Sequence, residues 1–156
     1  MAQTRLMTLV FVREDARVLL GLKKRGFGVG RWNGFGGKVQ SGETIEEGAA
    51  RELLEESTLR VAPSDLKRAG ILRFEFVGKS DLLEVHVFTS CKFEGVPTET
   101  EGMRPAWFAQ EAIPFDQMWP DDVLWYPMLF SGDTFNGYFK FEGHDKILDY
   151  TLTVAN

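Results

Sequence analysis

Two stretches of the chain carry the apolar periodicity of helices. From about Thr44 to Ser57, alanine and leucine residues recur on one arc of a helical projection, while glutamates fill the other arc. That division is typical of a helix that packs on a core by one face. Residues 121–130 form a second, mostly apolar stretch, in which Asp121 or Asp122 would serve as the N-cap. The pattern therefore predicts two main helices.

Shorter stretches in which apolar and polar residues alternate predict β-strands. They are Leu6–Val12, Arg17–Lys23, Ala69–Val77, Leu82–Phe88, Met103–Phe108, Tyr138–Phe141 and Ile147–Thr153. Short polar or glycine-containing turns follow the first, third and sixth of these, so each is predicted to form a hairpin with the strand after it. Together with two helices, the strands predict an α/β fold with a mixed sheet covered on both faces. The order of the strands does not follow from the pattern.

Length and composition indicate one folded domain. The chain has 156 residues, of which 44% are hydrophobic and 26% charged, so we expect a single domain over residues 1–156. The first residues lack the long apolar stretch of a signal peptide, and no segment approaches the length of a membrane span. We expect a cytoplasmic protein, with a smaller mitochondrial or nuclear pool left open. Nothing in the sequence demands a dimer, so a monomer is expected.

The chain contains one cysteine, which excludes an internal disulfide. Cys91 follows the apolar stretch 85–88 and is predicted to be a buried, unreactive thiol. Such a thiol agrees with reducing surroundings.

Charge is segregated along the chain. The net charge of -5 argues against binding of long nucleic acid, which requires a basic face. Residues 23–38 nevertheless contain five basic residues and no acidic one, and the segment 39–56 that follows contains six glutamates. A cationic rim beside an acidic site suits a small polyphosphate as the partner.

The acidic arc of the first helix is the strongest candidate for chemistry. Glu52, Glu55 and Glu56 are spaced i, i+3 and i+4 and therefore share one face. Like charges at these spacings cost roughly 0.2–0.5 kcal/mol per pair, so a counter-charge is expected. Ligands that offer only oxygen favour Mg²⁺ or Mn²⁺. The alternative, a merely solvated acidic face, does not explain the residues placed around it.

Those residues resemble the Nudix box, the motif of hydrolases that act on nucleoside diphosphates linked to another moiety. The matching residues are Gly37, Glu43, Arg51, Glu52, Leu53, Glu55, Glu56 and Leu59. The resemblance implies an α/β/α sandwich, and a divalent metal held by Gly36 and the three glutamates of the acidic arc. Arg51 and Glu43 would form a supporting ion pair. Thr58 stands where the family usually has glycine, which predicts a strained helix end, because a β-branched residue adopts the left-handed conformation poorly.

Two further segments suggest recognition of a base. The glycine-rich segment 26–37 fits neither a dinucleotide-binding fingerprint nor a Walker motif. Within it, Asn33 offers both a donor and an acceptor, although an asparagine that only caps a turn is the alternative. Trp119 precedes Asp121 and Asp122, which places an aromatic ring that can stack beside two acids that can read a base edge. An ordinary N-cap with one spare surface acid is the alternative there.

The sequences GRWNGFGGK and MWPDD resemble, more closely than the box does, the animal MutT homologues within this family. These hydrolyse oxidised purine nucleoside triphosphates to the monophosphate and pyrophosphate, and 8-oxo-dGTP and 2-hydroxy-dATP are the implied substrates. By that resemblance, the base pocket would be lined by Thr8, Phe27, Asn33, Phe74, Met103, Trp119, Asp121 and Asp122. Lys23 would lie near the phosphates, and the box residues Arg51, Glu52, Glu55 and Glu56 would carry the catalysis. The pattern leaves open which glutamate is the general base.

Two departures from these relatives keep other functions open. Leu83 stands where relatives carry methionine, and Gly102 stands where they place a glutamate that assists the metal site. One alternative is a Nudix hydrolase for another purine nucleotide, such as a methylated one. A second alternative is a nucleotide-binding protein that has lost catalysis, for which Thr58 and Gly102 are the support.

Overall fold

The computed structural model describes residues 2–155. Its strands are β1 (Thr4–Glu14), β2 (Arg17–Lys23), β3 (Trp32–Asn33), β4 (Lys67–Phe76), β5 (Leu82–Ser90), β6 (Met103–Ala109), β7 (Thr134–Glu142) and β8 (Lys146–Ala155). Its helices are α1 (Ile45–Ser57) and α2 (Asp122–Ser131), and short 3-10 turns lie at Pro63–Asp65, Gln110–Ala112 and Phe115–Gln117. The two predicted helices and the seven predicted strands are all present. Within residues 2–155, no helix has both the length and the apolar character needed to span a bilayer.

All eight strands belong to one mixed sheet. Its order is β3-β2-β1-β5-β4-β7-β8, and β6 pairs with β2. Strands β1 and β5 run parallel, as do β4 and β7, whereas the other pairs are antiparallel. The sheet therefore contains both kinds of ladder, as the sequence predicts.

The two helices cover opposite faces of the sheet, because neighbouring residues of β1 point in opposite directions. Val10 and Val12 lie in the same buried cluster as Leu53 of α1. Phe11, between them, lies in the other buried cluster, with Trp125 of α2. The architecture is thus the predicted α/β/α sandwich.

Local sequence signals fix both ends of α1. Thr44 accepts a hydrogen bond from the backbone N–H of Glu47, whose side chain in turn accepts from the backbone N–H of Thr44. This reciprocal capping box satisfies two donors that the helix leaves unpaired. At the other end Thr58 is the C-cap, in the left-handed conformation with φ 67°. The prediction that Thr58 must adopt a glycine-like conformation is confirmed.

The first predicted hairpin is mostly wrong. Strands β1 and β2 pair only through Arg13 with Val18 and Glu14 with Arg17. The rest of β1 pairs in parallel with β5, over nine positions from Thr4 to Val12. Because β1 is apolar on both sides, its pattern fits a central strand of the sheet. The pattern does not indicate which strand pairs with β1. The predicted hairpins β4–β5 and β7–β8 are confirmed, and β7 starts at Thr134, before the predicted Tyr138.

The prediction for Cys91 is also wrong. Its side chain is exposed, whereas Val87 and Phe88 are buried. Strand β5 ends at Ser90, so Cys91 lies in the bend beyond it and not in the ladder. The apolar residues that precede Cys91 in the sequence are therefore in the core, but Cys91 itself is not.

Candidate active site

A cavity lies where β1, β4 and β6 meet the loop after β2 and the start of α2. We call it the aromatic cavity. Every residue that the sequence assigned to the base pocket lines it, and Lys23, Gly36 and Glu56 line it as well. Further lining residues that the sequence did not assign include Leu9, Arg31, Leu72, Phe76, Val85 and Trp125. Phe76 follows Phe74 at the spacing of one strand face, so that signal was available in the sequence.

Aromatic rings form one wall of the aromatic cavity. Phe27 stacks on Trp119, with 5.0 Å between the ring centroids and 28° between the planes. Phe76 meets Phe27 edge to face at 5.7 Å. The Phe27 residue is 56% exposed, which places it at the mouth of the cavity. Flat apolar surfaces of this kind suit a planar ligand.

Two buried aspartates supply the polar groups of this cavity. Asp121 and Asp122 are each only 2% exposed. The indole N–H of Trp125 donates to Asp121 Oδ2 at 2.7 Å. Among the described residues, Asp121 Oδ1 and Asp122 Oδ2 have no hydrogen-bond partner. Asp121 occupies the N-cap position of α2 but its side chain makes no capping bond. The ordinary N-cap is therefore not what these acids provide, and unpaired buried oxygens favour a polar ligand.

Burial raises the pKa of both aspartates. The pKa of Asp122 is raised well above its ordinary value, by burial and then by the charge of the neighbouring Asp121. The pKa of Asp121 is also raised by burial, but the hydrogen bond from Trp125 opposes that effect because it stabilises the ionised form. The pKa of Asp122 is raised further than that of Asp121, so Asp122 is the acid of the pair that keeps its proton more readily. A protonated carboxyl can donate a hydrogen bond, and an ionised one can accept.

Asn33 lies on β3 and faces the same cavity. Its side-chain oxygen accepts a hydrogen bond from the backbone N–H of Gly34 at 2.8 Å. This bond matches the turn-capping alternative for Asn33. It uses one lone pair of the oxygen and leaves the side-chain NH₂ group to donate to a ligand.

The acidic arc of α1 faces a second, more open cavity, which we call the acidic cavity. It is lined by Lys23, Arg25, Gly26, Glu52, Glu55, Glu56, Thr100, Glu101 and Gly102. Lys23 and Glu56 line both cavities, so the two cavities adjoin at these residues. One molecule with a base and phosphates could therefore occupy both.

Glu56 is the box glutamate at this junction. Its Oε1 accepts a hydrogen bond from the backbone N–H of Gly36 at 2.9 Å. Burial raises the pKa of Glu56 to about 7, although the Gly36 N–H and the charge of Lys23 act in the opposite direction. The backbone at Gly36 lies so close to β1 that a Cβ on Gly36 would be 1.8 Å from the carbonyl oxygen of Thr8. Only glycine fits at this position.

Arg51 joins the box residues to one another. Its Nη2 and Nε donate to the two carboxylate oxygens of Glu43, at 2.7 and 3.0 Å, which is the predicted supporting pair. Its Nη1 donates to Glu52 at 3.0 Å and to Glu55 at 3.3 Å. The hydrogen bond from Arg51, followed by that from the Gln40 backbone, lowers the pKa of Glu43. Arg51 is therefore a counter-charge for the acidic arc.

The box supplies the chemistry of a divalent-metal site. Its donors are carboxylate oxygens, which hard cations prefer. A Cβ on Gly37 would lie 2.6 Å from the carboxyl carbon of Glu52, so glycine leaves the space that this carboxylate occupies. Within residues 2–155, no three acidic, imidazole or thiol side chains converge as a complete metal site. Arg51 donates hydrogen bonds to Glu52 and Glu55. The oxygens of these glutamates fit a divalent cation, which would replace Arg51 as their counter-charge.

The cationic rim predicted from residues 23–38 is largely paired. Lys24 donates to Glu99 and to the carbonyl of Thr100, and Arg25 pairs with Glu101 at 3.4 Å. Lys23 differs, because it lines both cavities. Arg25 lines only the acidic cavity, so Lys23 is the basic residue of the rim that lies at the junction of the two cavities.

The fold matches solved structures of MutT proteins. A MutT protein from Bacillus halodurans superposes with a TM-score of 0.81, at 25% identity, over 95% of this chain and 97% of that one. A MutT NUDIX hydrolase from Burkholderia pseudomallei gives a TM-score of 0.66 at 24% identity, over 71% and 87% of the two chains. This sandwich, with a glutamate-bearing helix beside a cavity, defines a hydrolase of the Nudix class.

Sequence comparison gives the same answer. Residues 3–129 match the family described as NUDIX domain, and the chain belongs to this family. Members generally use divalent metal ions. Among curated relatives, the oxidized purine nucleoside triphosphate hydrolases of Mus musculus and Danio rerio are 57% and 55% identical to this chain. Each match covers 97% of this chain and 96% of the relative.

Proposed function

We propose that this protein hydrolyses oxidised purine nucleoside triphosphates, such as 8-oxo-dGTP and 2-hydroxy-dATP, to the monophosphate and pyrophosphate. The observation that carries the proposal is the pair of buried aspartates with unpaired oxygens, in an aromatic cavity that adjoins the glutamate helix. The two curated relatives are named as hydrolases of oxidized purine nucleoside triphosphates, and they match nearly the whole chain. The same activity would remove damaged nucleotides before a polymerase uses them.

Recognition of the base is assigned to the aromatic cavity. Trp119 and Phe27 offer stacking surfaces, and Asp121, Asp122 and Asn33 offer the polar groups. Oxidation at the purine C8 or C2 changes which edge atoms donate and which accept. A protonated carboxyl beside an ionised one can pair with such edges, because together they present both a donor and an acceptor. Thr8, Phe74 and Met103 would complete the walls.

Cleavage is assigned to the acidic cavity. Glu52, Glu55 and Glu56, with the carbonyl of Gly36, would hold Mg²⁺ or Mn²⁺. Such an ion, when bound, neutralises phosphate oxygens and lowers the pKa of coordinated water. Arg51, paired with Glu43, would orient the loop and the helix, and Lys23 would orient the phosphates from the junction of the two cavities. One box glutamate takes the proton of the attacking water, and Glu56, buried at the junction, is our candidate for that role.

We also propose that residues 1–156 act as one monomeric unit on small nucleotides in the cytoplasm. The acidic net charge supports a small substrate over long nucleic acid. Gel filtration coupled to light scattering would test the monomer directly.

The test is turnover of 8-oxo-dGTP, 2-hydroxy-dATP and dGTP, with and without Mg²⁺, with pyrophosphate and orthophosphate measured separately. We expect metal-dependent release of pyrophosphate, much faster from an oxidised purine than from dGTP. Faster turnover of a methylated purine triphosphate would point to the other hydrolase. Tight binding of the oxidised nucleotides without turnover would point to a binding protein and to Thr58 and Gly102 as the cause.

A further inference from the structure

Arg31 makes contacts that differ from those of the other basic residues in the glycine-rich segment. Its guanidinium carbon lies 4.5 Å from the centroid of the Trp119 ring. Its Nη1 donates to the carbonyl of His144 at 3.0 Å, and its Nη2 pairs with the carboxylate of Asp145. The Arg31 side chain is only 20% exposed. Arg31 was predicted to belong to the cationic rim, but it lies against the wall of the aromatic cavity and does not line the acidic cavity.

The turn between β7 and β8 is part of the same arrangement. The His144 ring lies 4.9 Å from the Trp119 ring and 5.1 Å from the Phe27 ring, measured between centroids. Arg31 follows the loop that carries Phe27, and it holds the backbone of the turn by a hydrogen bond. The loop and the turn are thus joined beside the two rings that a base would meet.

We propose that Arg31 is a positioning residue for base recognition: tied to His144 and Asp145 of the β7–β8 turn, it holds Trp119 and Phe27 in place for stacking on the purine. The inference rests on the proposed function, since it assumes that a base enters the aromatic cavity. A guanidinium suits the role, because its plane stacks on an indole while its edges donate in fixed directions.

Electrostatics give Arg31 a second link to the same cavity. Its positive charge lowers the pKa of Asp121 and of Asp122, against the larger effect of burial. The other described groups that face this pair are the Trp125 indole, which donates to Asp121, and the buried Tyr126 hydroxyl. The pKa of Tyr126 is itself raised by burial and by both aspartates. Arg31 is thus the cation beside both the stacking ring and the acid pair.

The two partners of Arg31 in the turn should differ in importance. Asp145 is 89% exposed, and exposed ion pairs contribute little because water and salt screen them. The bond to the His144 carbonyl and the contact with Trp119 do not depend on that carboxylate. Replacement of Asp145 by Asn should therefore weaken base binding by less than about threefold, and loss of the Arg31 side chain should weaken it more.

The test measures Kd for 8-oxo-dGMP by calorimetry, together with KM and kcat for 8-oxo-dGTP. For Arg31→Ala we expect Kd and KM to rise about tenfold while kcat stays within about twofold. Arg31→Lys, which keeps the charge and loses the planar fork, should fall between this variant and the parent. The matched control is Arg17→Ala. Arg17 also lies over a tryptophan, Trp107, at 4.1 Å and pairs with Glu14, but it lines neither cavity.

Inorganic tripolyphosphate, as a competitive inhibitor, separates base from phosphate binding. We expect its inhibition constant to be unchanged by Arg31→Ala. Equal weakening of tripolyphosphate and 8-oxo-dGMP would overturn the inference, and so would a parent-like Kd for Arg31→Ala. If Arg31→Ala does not fold, a parent-like Kd of Arg31→Lys for 8-oxo-dGMP would overturn the inference instead. A parent protein that binds no 8-oxo-dGMP would instead contradict the proposed function.

Discussion

The aromatic cavity and the acidic cavity adjoin at Glu56, but their carboxylates differ in burial and in hydrogen bonding. In the aromatic cavity, Asp121 and Asp122 are buried and keep oxygens without a partner in the described structure. In the acidic cavity, Glu52 and Glu55 are bound by Arg51, and Glu55 is 57% exposed. One region holds buried oxygens that a ligand can satisfy, and the other has a protein counter-charge that a ligand can replace.

This difference indicates a division of roles. Buried polar groups without partners discriminate strongly, because a ligand that does not satisfy them leaves their desolvation uncompensated. Of the two carboxylates that share Arg51, Glu55 is mostly exposed and can rearrange at little cost, which suits a metal that arrives with its nucleotide. We expect the aromatic cavity to decide which base is bound and the acidic cavity to decide whether it is hydrolysed. The following changes test that division, from the largest expected effect to the smallest.

The first change is Glu56→Gln, which removes a charge at the junction and preserves shape. Turnover of 8-oxo-dGTP should fall by about a hundredfold or more, because the proposed proton acceptor and metal ligand would be lost. Steady-state kinetics with Mg²⁺ would measure this. Glu46→Gln on the same helix is the control, since Glu46 pairs with Arg68 at the surface and lines neither cavity. Unchanged turnover of Glu56→Gln would remove Glu56 from the active site.

The second change is Asp122→Ala in the aromatic cavity. The value of kcat/KM for 8-oxo-dGTP should fall about tenfold to a hundredfold, mainly through KM, because a hydrogen bond to the base is lost. Asp116→Ala serves as the control, since Asp116 is exposed in the 3-10 turn before α2. If the two variants had the same KM as the parent, the acid pair would have no part in recognition.

The third prediction concerns pH and the pKa of Asp122, which burial raises in the folded state. As pH rises above about 4, the unfolded chain loses this proton first, so the free energy of unfolding falls until the folded pKa is passed. Asp122→Asn cannot ionise and escapes this loss. Urea denaturation at several pH values would measure this. The free energy of unfolding of Asp122→Asn, relative to that of the parent, should increase by about 1.4 kcal/mol for each pH unit between the unfolded and the folded pKa of Asp122. Parallel profiles from pH 4 to pH 7 would contradict a raised pKa.

The fourth change lies at the helix end and should have the smallest effect. Thr58 has φ 67°, and its Oγ1 donates to the carbonyl of Val96. Thr58→Ala and Thr58→Gly both lose that bond, but only glycine relieves the strained backbone. The free energy of unfolding of Thr58→Gly should exceed that of Thr58→Ala by about 1 kcal/mol, measured by chemical denaturation. Equal stabilities would mean that the left-handed conformation carries no strain here.

The sequence predicted what depends on near neighbours. Helix α1 follows from its capping residues and apolar arc, and the left-handed Thr58 follows from its position at the helix end. The glutamate face of α1 likewise follows from helical spacing. Strand pairing could not be predicted in this way. Apolar residues on both faces of β1 predict a central strand, but they do not indicate that its parallel partner is β5.

The aromatic cavity shows the same limit in side chains. The resemblance brought together residues that do line one cavity, from Thr8 to Asp122. The charge pattern of residues 23–38 assigned Arg31 to a cationic rim, because the contacts of Arg31 lie in a turn 113 residues along the chain. Cys91 was misplaced for a related reason, since the end of β5 and not its apolar neighbours determines its exposure.

The most direct test of the division between recognition and hydrolysis is Kd of 8-oxo-dGMP for Glu56→Gln, measured by calorimetry beside the parent. We expect the two values to agree within about twofold even though turnover is lost, because the aromatic cavity would hold the base. A loss of binding comparable to the loss of turnover would contradict it, and the two cavities would then have to be treated as a single site.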